Sequence, residues 1–400
     1  MEQKIFKIKG VVQNYAWGGF SYIPDLLGLN NNQHVPFAEY WMGAHSSAPS
    51  TVLKNGNEIS LQQFIQAHPT ETLTQKVVDR FGELPFLFKV LDVNDMLSIQ
   101  VHPSKEEAEK GFDAEEAAGI PLNAPNRNYK DRNHKPEVMV ALSDFWLLHG
   151  FKSKENIINT LRNIQEFSSF IAVFNTSGTK GLYKYVMEME QSQVNLILLP
   201  LINRSIEQRN NKIVTKNDPE WWVAKLYDGK NIVGDIDKGI FSIFFFNIVQ
   251  IAPGQAIFQK AGIPHAYLEG QNIELMANSD NVLRAGLTSK FIDVQELIKH
   301  TSFEEVIPEI MDGLPINSFE TIFNCPVPDF GISKIVLTPN SLYETNSHSV
   351  EILIITEGYT RINDAFHYSR GEAIIILPNT PYRLESTEKC TLFKAFIPLL

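Results

Sequence analysis

Apolar residues between Lys4 and Phe151 come in short runs broken by Gly, Pro, Asn and Asp, a spacing that suits strands closed by turns. Runs at 86–93, 96–102, 137–142 and 145–151 predict four of them. Two stretches depart from this pattern and read as helices. Residues 60–79 start behind Ser60 as an N-cap, and residues 104–111 behind Ser104, with Glu107 at the spacing of a capping box. From about 154 to 226 the period lengthens. Ile157, Ile158, Leu161 and Ile164 fall on one helix face, and 196–202 is apolar on most sides. Asp218-Pro219-Glu220 opens a further helix, since proline is tolerated at a first helical position, and Asp228-Gly229-Lys230 closes it. Strand-like runs return at 240–251, 256–259 and 272–277, a helix is expected around 293–300, and strands at 332–337, 350–356 and 373–377 follow Pro308. No repeat and no low-complexity tract interrupts this order. The prediction is a mainly β fold, sandwich or barrel, carrying a helical insertion.

Composition narrows the function. At 400 residues with 44% hydrophobic and 20% charged positions, the chain is expected to build a real core spread over two or three domains. A net charge of −11 argues against a broad nucleic-acid or anionic-membrane surface, so any phosphate site must be local. Two cysteines, Cys325 and Cys390, supply neither a disulfide framework nor a four-cysteine zinc site, which suits a reducing compartment. The opening MEQKIFKIKG has no uninterrupted apolar core, and runs such as 240–251 fall short of the roughly 18 residues a membrane span needs. A cytoplasmic monomer is expected.

Candidate chemistry begins at Ser98-Ile99-Gln100-Val101-His102-Pro103, where Gln100 and His102, two apart on a strand, face one side. A Gln-x-His on a strand is more often a hydrogen-bonded polar pair than a site. Two further fragments add donors: His134-Lys135-Pro136-Glu137 and Pro264-His265-Ala266-Tyr267. Two imidazoles, a carboxylate and an amide oxygen would suit Zn²⁺ with positions left open for substrate. On sequence alone His134 and His149 are as eligible as His102 and His265. The polar segment 278–290 offers Arg284 and Lys290 to an anion, although Asn278-Ser279-Asp280-Asn281 is also ordinary turn chemistry.

Seven motifs in one order carry a resemblance: Asn14 to Gly18, Ala38 to His45, Pro85 to Leu91, Leu97 to Pro103, His134 to Glu137, Pro264 to Tyr267 and Ser279 to Gly286. Together they resemble the type I mannose-6-phosphate isomerases, the zinc-dependent phosphomannose isomerases of the cupin superfamily. The resemblance runs from about residue 11 to 300 and more loosely beyond. It implies a catalytic cupin barrel from 1–153 and 235–305, a helical insertion at 154–234 and a jelly-roll-like domain at 306–400. It implies zinc on Gln100, His102, Glu137 and His265, an active-site Arg284, and pocket residues Lys89, Ser98, Lys135, Tyr267, Glu274, Asp280 and Lys290. The lead-in Gln259-Lys260-Ala261-Gly262-Ile263 departs from the family's usual pattern. The stretches Glu351 to Gly358 and Gly371 to Pro378 look like cupin halves without clustered histidines, so no metal is expected there, and His348 and His367 are expected to be surface or packing residues.

The implied reaction interconverts mannose 6-phosphate and fructose 6-phosphate through an enediol, with zinc and Arg284 stabilising developing negative charge. Lys135 is the first candidate to carry the proton and Glu274 its rival. Lys89, Ser98 and Lys290 are candidates for the phosphate, with Lys89 equally placed to pair with Asp92. A Fe²⁺ cupin dioxygenase would more naturally show His-x-His where Gln100 stands, and a non-catalytic sugar-phosphate regulator would have lost the ligands or Arg284.

Overall fold

The computed structural model describes residues 3–398. All eight residues of the strand Phe86–Val93 are buried, which requires that both its faces be covered. Phe86, Phe88 and Val90 face a core shared with the C-terminal sheet, whereas Leu91 and Val93 face the interior of a ten-stranded antiparallel sheet. The long strand His265–Ala277 is the spine of that sheet, pairing with Phe86–Val93, Ile99–Val101, Glu137–Ala141 and Phe145–Phe151. It turns a corner at Gly270, whose φ is 125°. A side chain there would lie 2.7 Å from the Phe145 ring and 2.8 Å from the Asp144 carbonyl, so glycine is required.

A register shift between Tyr267 and Glu269 changes which residues of this strand face inward. Before it, Tyr267 joins the interior cluster while Ala266 and Leu268 pack outward. After it, Ile273, Leu275 and Ala277 join the outer core, which turns Glu274 to the inside. One irregularity therefore puts His265, Tyr267 and Glu274 in the same interior.

The helices Lys154–Asn163, Phe170–Glu188, Gln191–Asn210 and Pro219–Leu226 pack with Gly239–Phe245 on the outer face of this sheet, where Trp146, Leu148 and Leu268 meet Phe167, Phe170, Phe241 and Phe244. The C-terminal part supplies six strands of a nine-stranded sheet and all of a four-stranded sheet beside it. The nine-stranded sheet also takes in Ile5–Lys9, which pairs with Ala373–Ile376, and the hairpin Thr51–Lys54 with Asn57–Ser60. Among the described residues no helix is long and apolar enough to cross a membrane.

Several expected elements differ. Residues 60–79 form three short helices, Leu61–Ala67, Pro69–Leu73 and Gln75–Phe81, because Pro69 restarts the helix and Thr74 has a φ of 78°; Ser60 makes no capping bond. Ser104 does cap, accepting from Glu107 N at 3.3 Å, and its helix runs on to Ala117. The Glu107 carboxylate reaches Lys299 instead of returning to the cap. The first half of 240–251 is the helix Gly239–Phe245, apolar on every side because the helical core covers one face and the barrel the other. Conversely, 196–202 is amphipathic: Leu198, Leu201 and Ile202 are buried while Leu196 is 77% exposed.

Candidate active site

Cross-strand partners in an antiparallel sheet project to the same side, and here Arg284, Gln100, His265 and His149 form one such row across four strands. His102 stands two residues beyond Gln100, and Glu137 enters from the neighbouring strand. His102 Nε2 lies 3.4 Å from Glu137 Oε1, and His265 Nε2 lies 3.3 Å from Glu137 Oε2. Ligand atoms of these three buried residues all lie within 4.8 Å of one another. Each imidazole is oriented from behind: His102 Nδ1 donates to the Asn281 carbonyl at 2.9 Å, and His265 Nδ1 to the Ile263 carbonyl at 2.9 Å. Since a carbonyl only accepts, both rings carry a proton on Nδ1 and turn Nε2 toward Glu137. His102 Nε2 is buried without a hydrogen-bond partner. Burial holds the His102 imidazole neutral, its pKa lowered to about 4. Burial alone would raise Glu137, but the Lys135 ammonium beside it holds its carboxyl well below the usual range. An anionic carboxylate facing two imidazoles, one of them without a hydrogen-bond partner on its Nε2 among the described residues, is a donor set that fits a borderline dication.

Above this cluster opens a cleft of about 670 Å³. Gln100, Ser98, Lys89, Lys135, Asp280, Arg284 and Lys290 all line it, and an inner extension of about 60 Å³ reaches Glu137, His265, Tyr267 and Glu274. Lys135 Nζ lies 3.2 Å from Glu137 Oε1. Lys89 is committed elsewhere: it meets Glu274 at 2.9 Å and Glu39 at 3.3 Å, over the ring of Trp41. Burial disfavours its charge, yet Glu274 and Glu39 raise its pKa beyond the ordinary lysine range. Burial raises Glu274. Its partner is therefore not Asp92, which instead accepts from Gln271 at 2.7 Å. The Tyr267 hydroxyl is buried without a hydrogen-bond partner among the described residues, and burial, together with the Glu274 and Glu137 carboxylates, pushes its pKa well above the ordinary tyrosine range. Arg284 makes no side-chain hydrogen bond or ion pair among the described residues, and burial lowers its pKa. Lys290 is exposed at the rim.

The other histidines separate cleanly. His134 turns away from the cluster to Asp329, at 3.0 Å. His149 faces the interior beside His265 with both ring nitrogens unpartnered, and burial lowers its pKa to about 3. His348 and His367 are exposed on the C-terminal sheets. Three contributors had no role assigned from sequence. Glu39 neutralises Lys89. His45, buried edge-on against Trp41, holds Asp280 at 3.4 Å and lowers its carboxyl. Asn281 braces His102. All three lie inside motifs quoted above, but the short polar runs around them read equally well as turns.

A β-barrel with two imidazoles and a carboxylate converging under a polar cleft defines a cupin-type metal-site protein. Residues 5–154 match the family described as phosphomannose isomerase type I, catalytic domain. The chain is 40% identical to the mannose-6-phosphate isomerase of Salmonella typhimurium over 88% of both chains, and 34% identical to that of Homo sapiens over 96% of both. Its structure resembles the Salmonella typhimurium mannose 6-phosphate isomerase bound to fructose 6-phosphate and zinc, with a TM-score of 0.86, 35% identity, and coverage of 99% of this chain and 100% of that one. The chain belongs to the type I phosphomannose isomerase family.

Proposed function

We propose that this chain interconverts mannose 6-phosphate and fructose 6-phosphate, with zinc held by Gln100, His102, Glu137 and His265. The observation that carries the reading is the pair of imidazole Nε2 atoms facing Glu137 directly beneath a cleft lined by Arg284, which makes no side-chain hydrogen bond or ion pair among the described residues. The reaction moves a proton between the two carbons that exchange carbonyl and hydroxyl, through an enediol whose oxygens gain negative charge. Zinc, when bound, supplies Lewis-acid polarisation of the carbonyl. Arg284 stabilises the same charge without acting as a base, since a guanidinium stays protonated. Lys135 carries the proton: it lines the cleft and ends beside Glu137. Glu274 holds Lys89 in the inner cavity, with Glu39 on its other side, a buried ionic cluster that fixes polar groups beside the metal-site residues. Tyr267 and Asp280 address substrate hydroxyls, and Ser98 and Lys290 remain for the phosphate, because Lys89 already serves two carboxylates.

The proposed division of labour gives catalysis to 1–153 and 235–305, with 154–234 as a helical buttress and 306–400 as a second β domain that borrows Ile5–Lys9 and the hairpin at 51–60. Two cysteines, neither in a disulfide, support a cytoplasmic setting, and the chain is proposed to act as a monomer. The test is a coupled assay of fructose 6-phosphate formation with and without chelator, alongside elemental analysis. Turnover is expected to stop on chelation and return with zinc, while the β sheets stay folded, because a site built on a large core contributes little to folding. Full turnover by metal-free protein would overturn the proposal.

A further inference from the structure

Asn281 is completely buried and its carboxamide is saturated. Oδ1 accepts from Lys130 N at 2.7 Å and Asp131 N at 3.3 Å, while Nδ2 donates to the carbonyls of Asp131 and Asn133, both at 2.8 Å. These partners belong to one loop, 130–133, which runs directly into His134, Lys135 and Glu137. Meanwhile the main-chain carbonyl of the same residue receives His102 Nδ1. A return clasp closes the arrangement, because the Asp131 carboxylate accepts from Ser279 Oγ at 2.9 Å and Asp280 N at 2.7 Å.

We infer that Asn281 is a positioning residue that locks the loop leading to Lys135 and Glu137 to the imidazole of His102, so that the two sides of the metal site keep one relative placement. The side chain has to be a carboxamide. Two of the groups it meets are donors and three are acceptors, the third being Asp131 Oδ1 at 3.1 Å, and only an amide offers both. An aspartate would set a carboxylate against two carbonyls, and an apolar residue would leave the part-buried N–H groups of Lys130 and Asp131 and the Asp131 carbonyl without this partner, with the Asn133 carbonyl keeping only Ser279 Oγ. Outer partners of this kind set ligand orientation and typically change metal affinity about 10- to 100-fold.

This inference rests on the zinc-isomerase reading, and its test is read without turnover. Zinc affinity of the full chain is measured by competition with a chromophoric chelator, and amide hydrogen exchange is followed at 130–133. Asn281→Ala is expected to weaken zinc about 10- to 100-fold and to speed exchange at 130–133, while the helices at 154–210 keep their protection. Asn281→Asp retains the volume and both acceptor bonds. It is expected to weaken zinc less, in the same direction, and it carries the test if the alanine variant does not fold. Zinc affinity within about twofold of the parent, or unchanged exchange at 130–133, would overturn the inference. A parent chain that binds zinc but converts no mannose 6-phosphate would instead overturn the functional reading and leave this one in place.

Discussion

The two β regions both bury ionisable groups, and they treat them in opposite ways. Inside the C-terminal region, Glu320 accepts from Ser333 at 2.6 Å and from Tyr343, and pairs with Lys394 at 2.7 Å, while Glu351 accepts from Tyr382 at 2.7 Å. Each charge is answered by a neighbour. Inside the first region, among the described residues, His102 Nε2 and the Tyr267 hydroxyl have no hydrogen-bond partner and Arg284 has no side-chain hydrogen bond or ion pair. Burying a polar group costs free energy unless it is bonded, so a cluster that completes itself is structural. One that leaves its lone pairs and donors turned toward a cleft is built to be completed by something else.

The largest test of this contrast swaps the damage between regions. His265→Ala is expected to drop both zinc content and turnover to the level of the chelated protein with little change in unfolding temperature. Glu320→Ala is expected to do the reverse, leaving zinc and kcat alone while costing about 3–5 kcal/mol of stability, because Lys394 is left buried and uncompensated. Denaturant unfolding and elemental analysis on both variants decide it, and matching behaviour would erase the distinction. Next in size, Arg284→Ala is expected to lower kcat by about 10²-fold or more with zinc content unchanged. Lysine is expected to restore little of that loss, since its compact ammonium lacks the planar reach of a guanidinium. A variant with normal kcat and altered KM would make Arg284 a phosphate ligand instead.

The smallest effect per pH unit lies in the pH dependence of stability, where His149 in the first interior and Glu351 in the second slope in opposite directions. His149 titrates near 3 when folded against 6.5 ordinarily. The unfolded chain therefore takes up a proton that the fold refuses, and stability is lost as pH falls from about 6.5 toward 3, by at most about 1.4 kcal/mol per pH unit. Burial raises Glu351, so the folded state holds that proton more tightly and its contribution improves as pH falls. Unfolding of His149→Phe is expected to show a shallower acid slope than the parent. Equal slopes would mean that the fold relieves the burial of this imidazole.

The ligand candidates were legible in sequence because strand periodicity is local: Gln100 and His102 share a face by spacing alone, and motifs supplied the partners. What sequence did not show is set by distant contacts. His134 stood level with His265 until the fold sent it to Asp329. Lys89 was read as a phosphate cation or a partner of Asp92 until strand pairing placed Glu274 beside it. The inward turn of Glu274 depends on a register shift seven residues earlier that leaves no compositional mark. The helix at 239–245 was taken for a strand because an apolar run covered on all sides has no period to read.

The pairing of Ile5 with Ile376 has a bearing on how the chain is made. During synthesis at roughly 5–20 residues per second, the 370 residues between these partners take about 20 to 70 seconds to emerge. For that time Ile5–Lys9 has only the hairpin at 51–60 on one side, and its other backbone edge waits for the last strands. The catalytic barrel, whose spine ends at Ala277, has its strands in hand well before the sheet that covers its outer core is complete. A nascent chain paused near residue 300 would therefore expose the apolar outer faces of Phe86, Phe88 and Val90, and a cell making this protein has the longest need of a chaperone at a surface remote from the chemistry.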